Sequence, residues 1–140
     1  MKISSKGRYG LKLMVDLSVF GRESLVSLKN VAARHHMSEL YLEQLAAALK
    51  KAGLITAVRG ATGGYALGRP AETITVGEIL RALEGPTREG RCGGGCGDVC
   101  ESCISKSVWG RLNKALDDAA DSIRLSELAE DYENMDKTNL

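Results

Sequence analysis

The sequence predicts a mainly α-helical protein that carries one small β-hairpin. Several segments repeat apolar residues at i, i+3, i+4 and i+7, which is the spacing of one buried helix face, and a glycine-rich turn separates two short strand-like runs. A chain of 140 residues is long enough for one domain with an appendage, and its hydrophobic fraction of 44% is enough to form a core.

The first predicted helix spans residues 6–20, and its apolar residues share one face. That face consists of Leu13, Met14, Leu17 and Phe20. Lys6, Arg8 and Lys12 lie near the beginning of the helix, where their positive charges can meet phosphate groups. Residues 21–26 are predicted to connect this helix to the next.

Two further helices, at residues 28–35 and 39–52, are separated by a tight connection. Ser27 and Ser38 stand immediately before them as good N-caps. Two helices of these lengths joined by a short turn predict a helix-turn-helix, whose second helix enters the major groove of DNA.

The N-terminal end of the second helix carries residue types that read bases. Gln pairs with adenine, and Glu accepts a hydrogen bond from cytosine N4. The predicted readers are Ser38, Glu39, Tyr41, Glu43 and Gln44. The alternative is a purely structural helical hairpin, which two acidic residues at a DNA surface mildly favour.

A hairpin is predicted to follow directly, with strands at residues 54–58 and 65–67 and a turn at residues 59–64. A hairpin at this place forms the wing of a winged helix-turn-helix. An arginine in the turn suits a narrow minor groove, and glycines allow close approach to phosphate. The predicted contacts are Arg59, Gly60, Gly63 and Gly64. A nucleotide-binding phosphate loop is the alternative, but the Lys-Ser/Thr pair of such a loop is missing.

Three helices are predicted after the hairpin, at residues 76–84, 104–123 and 126–132, with a loose tail over residues 133–140. The longest helix repeats apolar residues in steps of three and four, as in a coiled-coil seam. The seam residues are Trp109, Leu112, Leu116, Ala119 and Ile123. We interpret the seam as a homodimer contact, because a two-fold protein matches a two-fold DNA site. The alternative is that it packs on the chain's own core.

All four cysteines fall within one glycine-rich stretch that has no apolar period. They are Cys92, Cys96, Cys100 and Cys103. Four converging thiolates can hold a 2Fe–2S or 4Fe–4S cluster, hold zinc, or form disulfides as a redox switch. Structural zinc sites usually pair two Cys-x2-Cys knuckles, whereas this stretch has one. A long glycine-rich loop rarely orders itself without a ligand, which also favours a bound group.

These features divide the chain into three predicted parts. Residues 1–75 form the winged helix-turn-helix, residues 76–103 the linker helix and cysteine-rich stretch, and residues 104–140 the dimerisation helix and tail. The sequence shows no secretory leader and no apolar run of membrane-spanning length, so we expect a cytoplasmic protein without a membrane partner. Thiols in that compartment stay mostly reduced, which favours metal or redox chemistry.

The net charge of +1 hides an asymmetry along the chain. Residues 1–70 hold 11 Lys and Arg against 4 Asp and Glu, whereas residues 71–140 hold 8 against 14. A basic first half joined to an acidic second half indicates that the first half meets a polyanion.

Several short motifs, taken in order, carry a family resemblance. They are residues 5–9 (SKGRY), 41–45 (YLEQL), 53–54 (GL), 58–60 (VRG), 63–68 (GGYALG) and the cysteine stretch. Together they resemble the bacterial winged-helix regulators typified by the iron–sulfur cluster regulator IscR, a family that includes NsrR- and CymR-like proteins. The resemblance covers residues 1 to about 130. It implies a homodimer whose binding to promoter DNA depends on the cysteine stretch.

The chain departs from this family in its ligands. IscR-type proteins typically hold a 2Fe–2S cluster with three cysteines and a histidine three residues after the last, a position that Lys106 occupies here. A protonated lysine cannot donate to iron, so the fourth cysteine is the simplest replacement. In nitric-oxide-sensing relatives an aspartate near the N-terminus ligates, and Arg8 stands at that position. Other possible ligands are Asp98, Glu101, His35 and His36.

We therefore expect a regulator that senses an iron–sulfur cluster, 2Fe–2S being favoured over 4Fe–4S, and binds palindromic operators. Alternatives are a zinc or thiol-switch regulator of the same fold, and an iron–sulfur carrier that does not bind DNA. An enzyme is not expected, because no substrate pocket, catalytic base or cofactor motif accompanies the cysteines, and no small-molecule substrate is expected either.

Overall fold

The computed structural model describes residues 4–85 and 104–138. These residues form six α-helices and one two-stranded antiparallel sheet. The helices are α1 (Ser5–Phe20), α2 (Leu28–His35), α3 (Glu39–Lys51), α4 (Val76–Glu84), α5 (Ile104–Ser122) and α6 (Leu125–Thr138). The strands are β1 (Ile55–Val58) and β2 (Gly64–Leu67), and a short 3-10 helix spans Ala71–Thr73. The predicted mainly helical fold with one hairpin is confirmed.

Local sequence explains where the helices begin. In four of them a serine or threonine hydroxyl accepts a hydrogen bond from a backbone N–H of the first turn, which satisfies a donor that the helix leaves free. These N-caps are Ser4, Ser27, Ser38 and Thr75. At Thr75, the Glu78 carboxylate also accepts from the backbone N–H of the cap at 3.0 Å, which completes a capping box.

The hairpin is fixed to the helical part of the molecule. β1 and β2 pair from Ile55 opposite Leu67 to Val58 opposite Gly64. The Val26 backbone then adds a bridge on the other side of β2, because its N–H and C=O bond to the Tyr65 backbone at 2.9 and 2.8 Å. No local sequence pattern predicts this bridge, which ties the connection after α1 to the wing.

The core surrounds α1, which packs against α3, α4, α6 and β2. Its buried side chains are mostly leucine and isoleucine, from the stripes that the periodicity predicted. Fully buried members include Leu13, Met14, Leu17, Leu42, Leu45, Leu49, Ile79 and Leu125. The helix-turn-helix and the hairpin are therefore held by the same core as α4 and α6.

Backbone hydrogen bonds join the beginning of α4 to the junction between α5 and α6. The Val76 N–H donates to the Ile123 carbonyl at 2.9 Å, and the Leu125 N–H donates to the Ile74 carbonyl at 2.8 Å. Both bonds join residues at or next to the ends of helices. They therefore fix the direction in which α5 extends from the core. None of the helices described here is both long enough and apolar enough to cross a membrane.

A glycine brings α4 and α5 close together at this junction. A Cβ added to Gly77 would overlap the carboxylate of Asp121 on α5. Arg81, one turn further along α4, holds the same carboxylate in a salt bridge at 2.7 Å. The hydrogen bond to Asp121 raises the pKa of Arg81 above its ordinary value.

Phe20 corrects the predicted buried face of α1. It was expected in the core with Leu17, but its side chain is 40% exposed. Phe20 is the last residue of α1, and the Arg34 guanidinium lies over its ring at 4.2 Å from the ring centroid. The ring is therefore covered by a charged side chain rather than by the core.

The C-terminal end corrects a second prediction. The last helix was expected at residues 126–132 with a loose tail after it, but α6 continues to Thr138. One contact with the last residue of α1 and one with the connection after it lie at the place where the helix was expected to end. Tyr132 meets Phe20 edge-on with 6.3 Å between ring centroids, and Glu133 pairs with Arg22 at 2.9 Å. Tertiary contacts thus extend a helix that its polar sequence did not predict.

Candidate nucleic-acid interface

One face of α3 is buried and the opposite face is open to solvent. Leu42, Leu45 and Leu49 are fully buried and fix the rotation of the helix about its axis. Four of the five predicted base readers lie on the exposed side: Ser38, Glu39, Glu43 and Gln44. The Ser38 hydroxyl also caps the helix by accepting from the Tyr41 N–H at 3.3 Å, so its position is fixed by the helix itself.

Tyr41, the fifth predicted reader, is half-buried. Its ring meets Tyr9 of α1 edge-on, with 5.8 Å between centroids, and the Lys12 Nζ lies 5.4 Å from the centroid of Tyr9. Tyr41 therefore connects the N-terminal end of α3 to the exposed basic side of α1. The predicted phosphate contacts Lys6 and Arg8 lie on α1 and are exposed.

The turn of the hairpin presents Arg59 to solvent together with Gly60. Gly63 and Gly64 also have a structural reason to be glycine. A Cβ on Gly63 would collide with the Val58 carbonyl, and a Cβ on Gly64 would lie 2.8 Å from the Val26 carbonyl oxygen. The close packing of the turn thus requires small residues at both positions, independently of any contact with phosphate.

A buried carboxylate between α1 and α2 was missed by sequence reasoning. Asp16 is 1% exposed and accepts from Arg34 at 2.6 and 2.8 Å, while the His35 Nε2 lies 2.9 Å from it. The hydrogen bond to Asp16 raises the pKa of Arg34 above its ordinary value, so Arg34 stays charged. The available signal was a charged residue on the apolar side of a helix, between Met14 and Leu17.

This cluster holds the end of α2 immediately before the turn of the helix-turn-helix. The next residue, His36, adopts a left-handed conformation with φ of 53° and ends α2. The Met37 N–H then donates to the Ala32 carbonyl at 3.0 Å, which closes the turn. The buried ion pair therefore positions the segment from which α3 starts.

The predicted seam of α5 faces solvent in the single chain. Its five members, and Val108 beside them, are exposed, with values from 38% at Ile123 to 56% at Trp109 for the large side chains. The members are Trp109, Leu112, Leu116, Ala119 and Ile123. Among the residues that the structure describes, this stripe does not pack on the chain's own core, and α5 contacts the buried residues of α4 through Ala120 instead.

The four predicted cluster ligands, Cys92, Cys96, Cys100 and Cys103, lie outside the described residues, as do Asp98 and Glu101. Across residues 4–85 and 104–138, no group of three or more His, Cys, Asp or Glu side chains is arranged to hold a metal ion. Of the other candidate ligands, His35 contacts Asp16 and His36 is exposed at the turn after α2.

Comparison with known proteins agrees with this arrangement. Residues 3–131 match the model of the Rrf2 family, described as iron-dependent transcriptional regulators. The chain is 42% identical over 131 residues to the transcriptional regulator CymR of Bacillus subtilis, covering 92% of this chain and 90% of CymR.

Two solved structures give the same result. T. potens IscR superposes with a TM-score of 0.78 at 42% identity, covering 96% of this chain and 90% of that one. The oxidized form of Staphylococcus aureus CymR superposes with a TM-score of 0.75 at 45% identity, covering 93% and 97%. The named relatives are regulators rather than enzymes, as predicted. The chain belongs to the Rrf2 family and is a DNA-binding transcriptional regulator similar to IscR and CymR.

Proposed function

We propose that this regulator acts as a homodimer that binds two half-sites of a palindromic operator, with an affinity set by the chemical state of Cys92, Cys96, Cys100 and Cys103. The observation that carries the proposal is the presence of two separate exposed surfaces on one fold. The exposed faces of α3 and the hairpin lie on the basic half of the chain, and the exposed apolar stripe lies on α5.

The α5 stripe supports the homodimer. The helix α5 has 19 residues, and the large apolar side chains on its exposed side gain little stabilisation from packing against the rest of the same chain. Trp109, Leu112 and Leu116 repeat at seam spacing, and each is more than 40% exposed. A second copy supplies the same stripe, so an antiparallel or crossed pair of α5 helices buries both.

Phosphate and base contacts are proposed for three elements. Arg59 in the turn enters the minor groove, while Glu43 and Gln44 on α3 face base edges in the major groove. Lys6 and Arg8 at the beginning of α1 bind the backbone and fix the register without reading sequence. The exposure of all five side chains supports these roles.

In chain order, the cysteine stretch lies between the elements that carry the two proposed surfaces. It follows α4, which packs in the core against α1 and α3, and it precedes α5. At the other end of the same pair of helices, Gly77 and Asp121 pack tightly. A constraint on residues 86–103 therefore biases the direction of α5 relative to the helix-turn-helix, and DNA affinity shifts by the difference in free energy between the two conformations.

The chemistry of the donor set fits an iron–sulfur cluster, since four thiolates can hold either a 2Fe–2S or a 4Fe–4S centre. The thiols of Cys92, Cys96, Cys100 and Cys103 would be its ligands, and such a centre would supply a redox-sensitive and oxygen-sensitive group. The matched family is described as iron-dependent, which supports this choice. We favour 2Fe–2S because the sequence resembles IscR-type proteins.

A thiol–disulfide switch is the second candidate, and a specific observation favours it. The Staphylococcus aureus CymR with a similar fold has been solved in an oxidized form. A disulfide between two of the cysteines would close a loop within the connection between α4 and α5, as a cluster would. A reductant would open that loop again. Both candidates use the same two surfaces and differ only in what joins the sulfur atoms.

One experiment separates these possibilities. The full-length protein is isolated without oxygen, its iron, acid-labile sulfide and zinc are measured, and its affinity is determined for an operator selected in vitro from random duplex DNA. We expect about two iron and two sulfide per chain, and an operator affinity that changes at least about fivefold when the cluster is removed. Cys100→Ser should abolish iron retention, whereas His36→Gln should retain it.

Three other results have distinct meanings. Stoichiometric zinc with no iron would show that the cysteines hold a structural zinc ion rather than an iron–sulfur cluster. A metal-free protein whose operator affinity changes reversibly with diamide and dithiothreitol would establish the thiol switch. Identical affinity for loaded, emptied and oxidised protein would contradict any sensing role of the cysteines and leave a regulator that does not respond to them.

A further inference from the structure

Leu40 is the most exposed of the large apolar side chains that the structure describes, at 67%. It lies in the first turn of α3, two residues after the N-cap Ser38. An exposed leucine is not unusual by itself. Leu40, however, lies on the face of α3 that is predicted to read bases. All of the predicted readers on that face carry polar groups.

The neighbours of Leu40 define a continuous exposed strip. Glu43 and Gln44 follow it by three and four positions and Ala47 by seven, so the four side chains share one side of α3. All four are exposed. Leu40 cannot rotate into the core, because Leu42 and Leu45 already hold the opposite side of the helix there.

We propose that Leu40 is a specificity-determining residue that contacts the C5 methyl group of a thymine in the major groove. The inference rests on the proposed entry of α3 into that groove. A leucine side chain has no hydrogen-bonding atom, so it can serve neither a phosphate nor a polar base edge. The thymine methyl is the apolar group that the major-groove edges offer, and contact with it removes both apolar surfaces from water.

The position of the thymine follows from helix geometry. The Cβ atoms of Leu40 and its neighbours at i+3 and i+4 are about 5–6 Å apart. Successive base pairs are separated by about 3.4 Å. The thymine therefore lies within one or two base pairs of those contacted by Glu43 and Gln44. It is displaced from them in the direction of the N-terminus of α3.

The test removes one methyl group from the DNA. Uracil replaces thymine at each position of the in vitro selected operator in turn, and the affinity of the full-length protein is measured by fluorescence anisotropy. One position in each half-site should weaken binding about three- to fivefold, the size expected from losing contact with a single methyl group. Leu40→Ala should bind the thymine operator more weakly and lose the distinction between thymine and uracil at that position only.

Met135→Ala is the matched control, since Met135 is 66% exposed but lies on α6. It should retain the full distinction between thymine and uracil. An operator-binding protein that discriminates uracil nowhere, or a Leu40→Ala variant that still discriminates, would overturn the inference while leaving the proposed function intact. Failure to select any operator would instead contradict the proposed function.

Discussion

Arg34 on α2 holds the buried carboxylate of Asp16 on α1 with two hydrogen bonds, of 2.6 and 2.8 Å. The pair joins the two helices just before the turn that leads to α3. The His35 Nε2 approaches the same carboxylate at 2.9 Å, and Arg34 also covers the ring of Phe20. The orientation of α3 therefore depends on a buried carboxylate and its ion pair.

Asp16→Asn should destabilise the fold. The amide keeps the shape of the carboxylate but removes the charge that compensates Arg34, and it can no longer accept from both guanidinium nitrogens. We expect the free energy of unfolding to fall by about 2–4 kcal/mol, measured by urea denaturation. Asp131→Asn on the exposed side of α6 is the control and should change stability little. Equal stability of the two variants would show that the buried pair is dispensable.

The joint between α4 and α5 gives a second prediction. Gly77→Ala should gain less stability than Gly110→Ala, because its methyl group displaces the exposed Asp121 carboxylate and breaks the salt bridge to Arg81, which is worth about 0.2–1 kcal/mol. Gly110→Ala, within α5 where a Cβ meets nothing within 4 Å, should be neutral or slightly stabilising. Thermal unfolding of both variants distinguishes steric overlap at Gly77 from a general intolerance of alanine in these helices.

The sequence predicts local features of this fold better than long-range ones. The bounds of α2 and α4 were predicted without error, because Ser27 and Thr75 cap them and the apolar period fills them. The contact between Asp16 and Arg34 was not predicted, since 18 residues separate the partners and only the packing of α1 on α2 brings them together. The same reason explains why the extension of α6 was missed, since it is accompanied by contacts with Phe20 at the end of α1 and with Arg22 just after it.

The candidate interface shows the same division. Periodicity placed Glu43 and Gln44 on the open side of α3 because Leu42, Leu45 and Leu49 had to face the core. The same period places Leu40 on that side, but no apolar residue was predicted to read bases, since apolar residues are assigned to the core by default. The pairing of Tyr41 with Tyr9 depends on how α1 crosses α3, which no local pattern contains.

The hairpin turn provides a third prediction, on salt dependence. Arg59→Ala should weaken operator binding and lower the slope of log K against log salt concentration by about one, because the positive charge in the minor groove and the counterion that it displaces from the DNA are lost. Arg22→Ala is the control, since Arg22 pairs with Glu133 at the far end of α1. An Arg59→Ala variant with an unchanged salt slope would remove the wing from the proposed interface.

The fourth prediction concerns assembly. Leu116→Glu places a charge in the middle of the exposed stripe of α5, and a two-fold contact brings both copies of that charge into one apolar interface. We expect the free energy of dimerisation to weaken by roughly 3 kcal/mol or more, which is more than a hundredfold in the dissociation constant measured by sedimentation equilibrium. Affinity for an operator with two half-sites should fall as well. The two monomers then bind as separate molecules, and the second half-site loses the high effective concentration that a dimer provides.

Lys114→Glu is the matched control for Leu116→Glu, because it introduces an acidic group on the opposite side of the same helix. Lys114 is exposed and pairs with Asp118 at 3.0 Å, a surface contact whose loss costs little. A variant that remains dimeric with glutamate at position 116 would show that the stripe does not meet a second copy. The exposed Trp109 and Leu112 would then have to be covered by a different partner, and the two-fold operator would lose its structural basis.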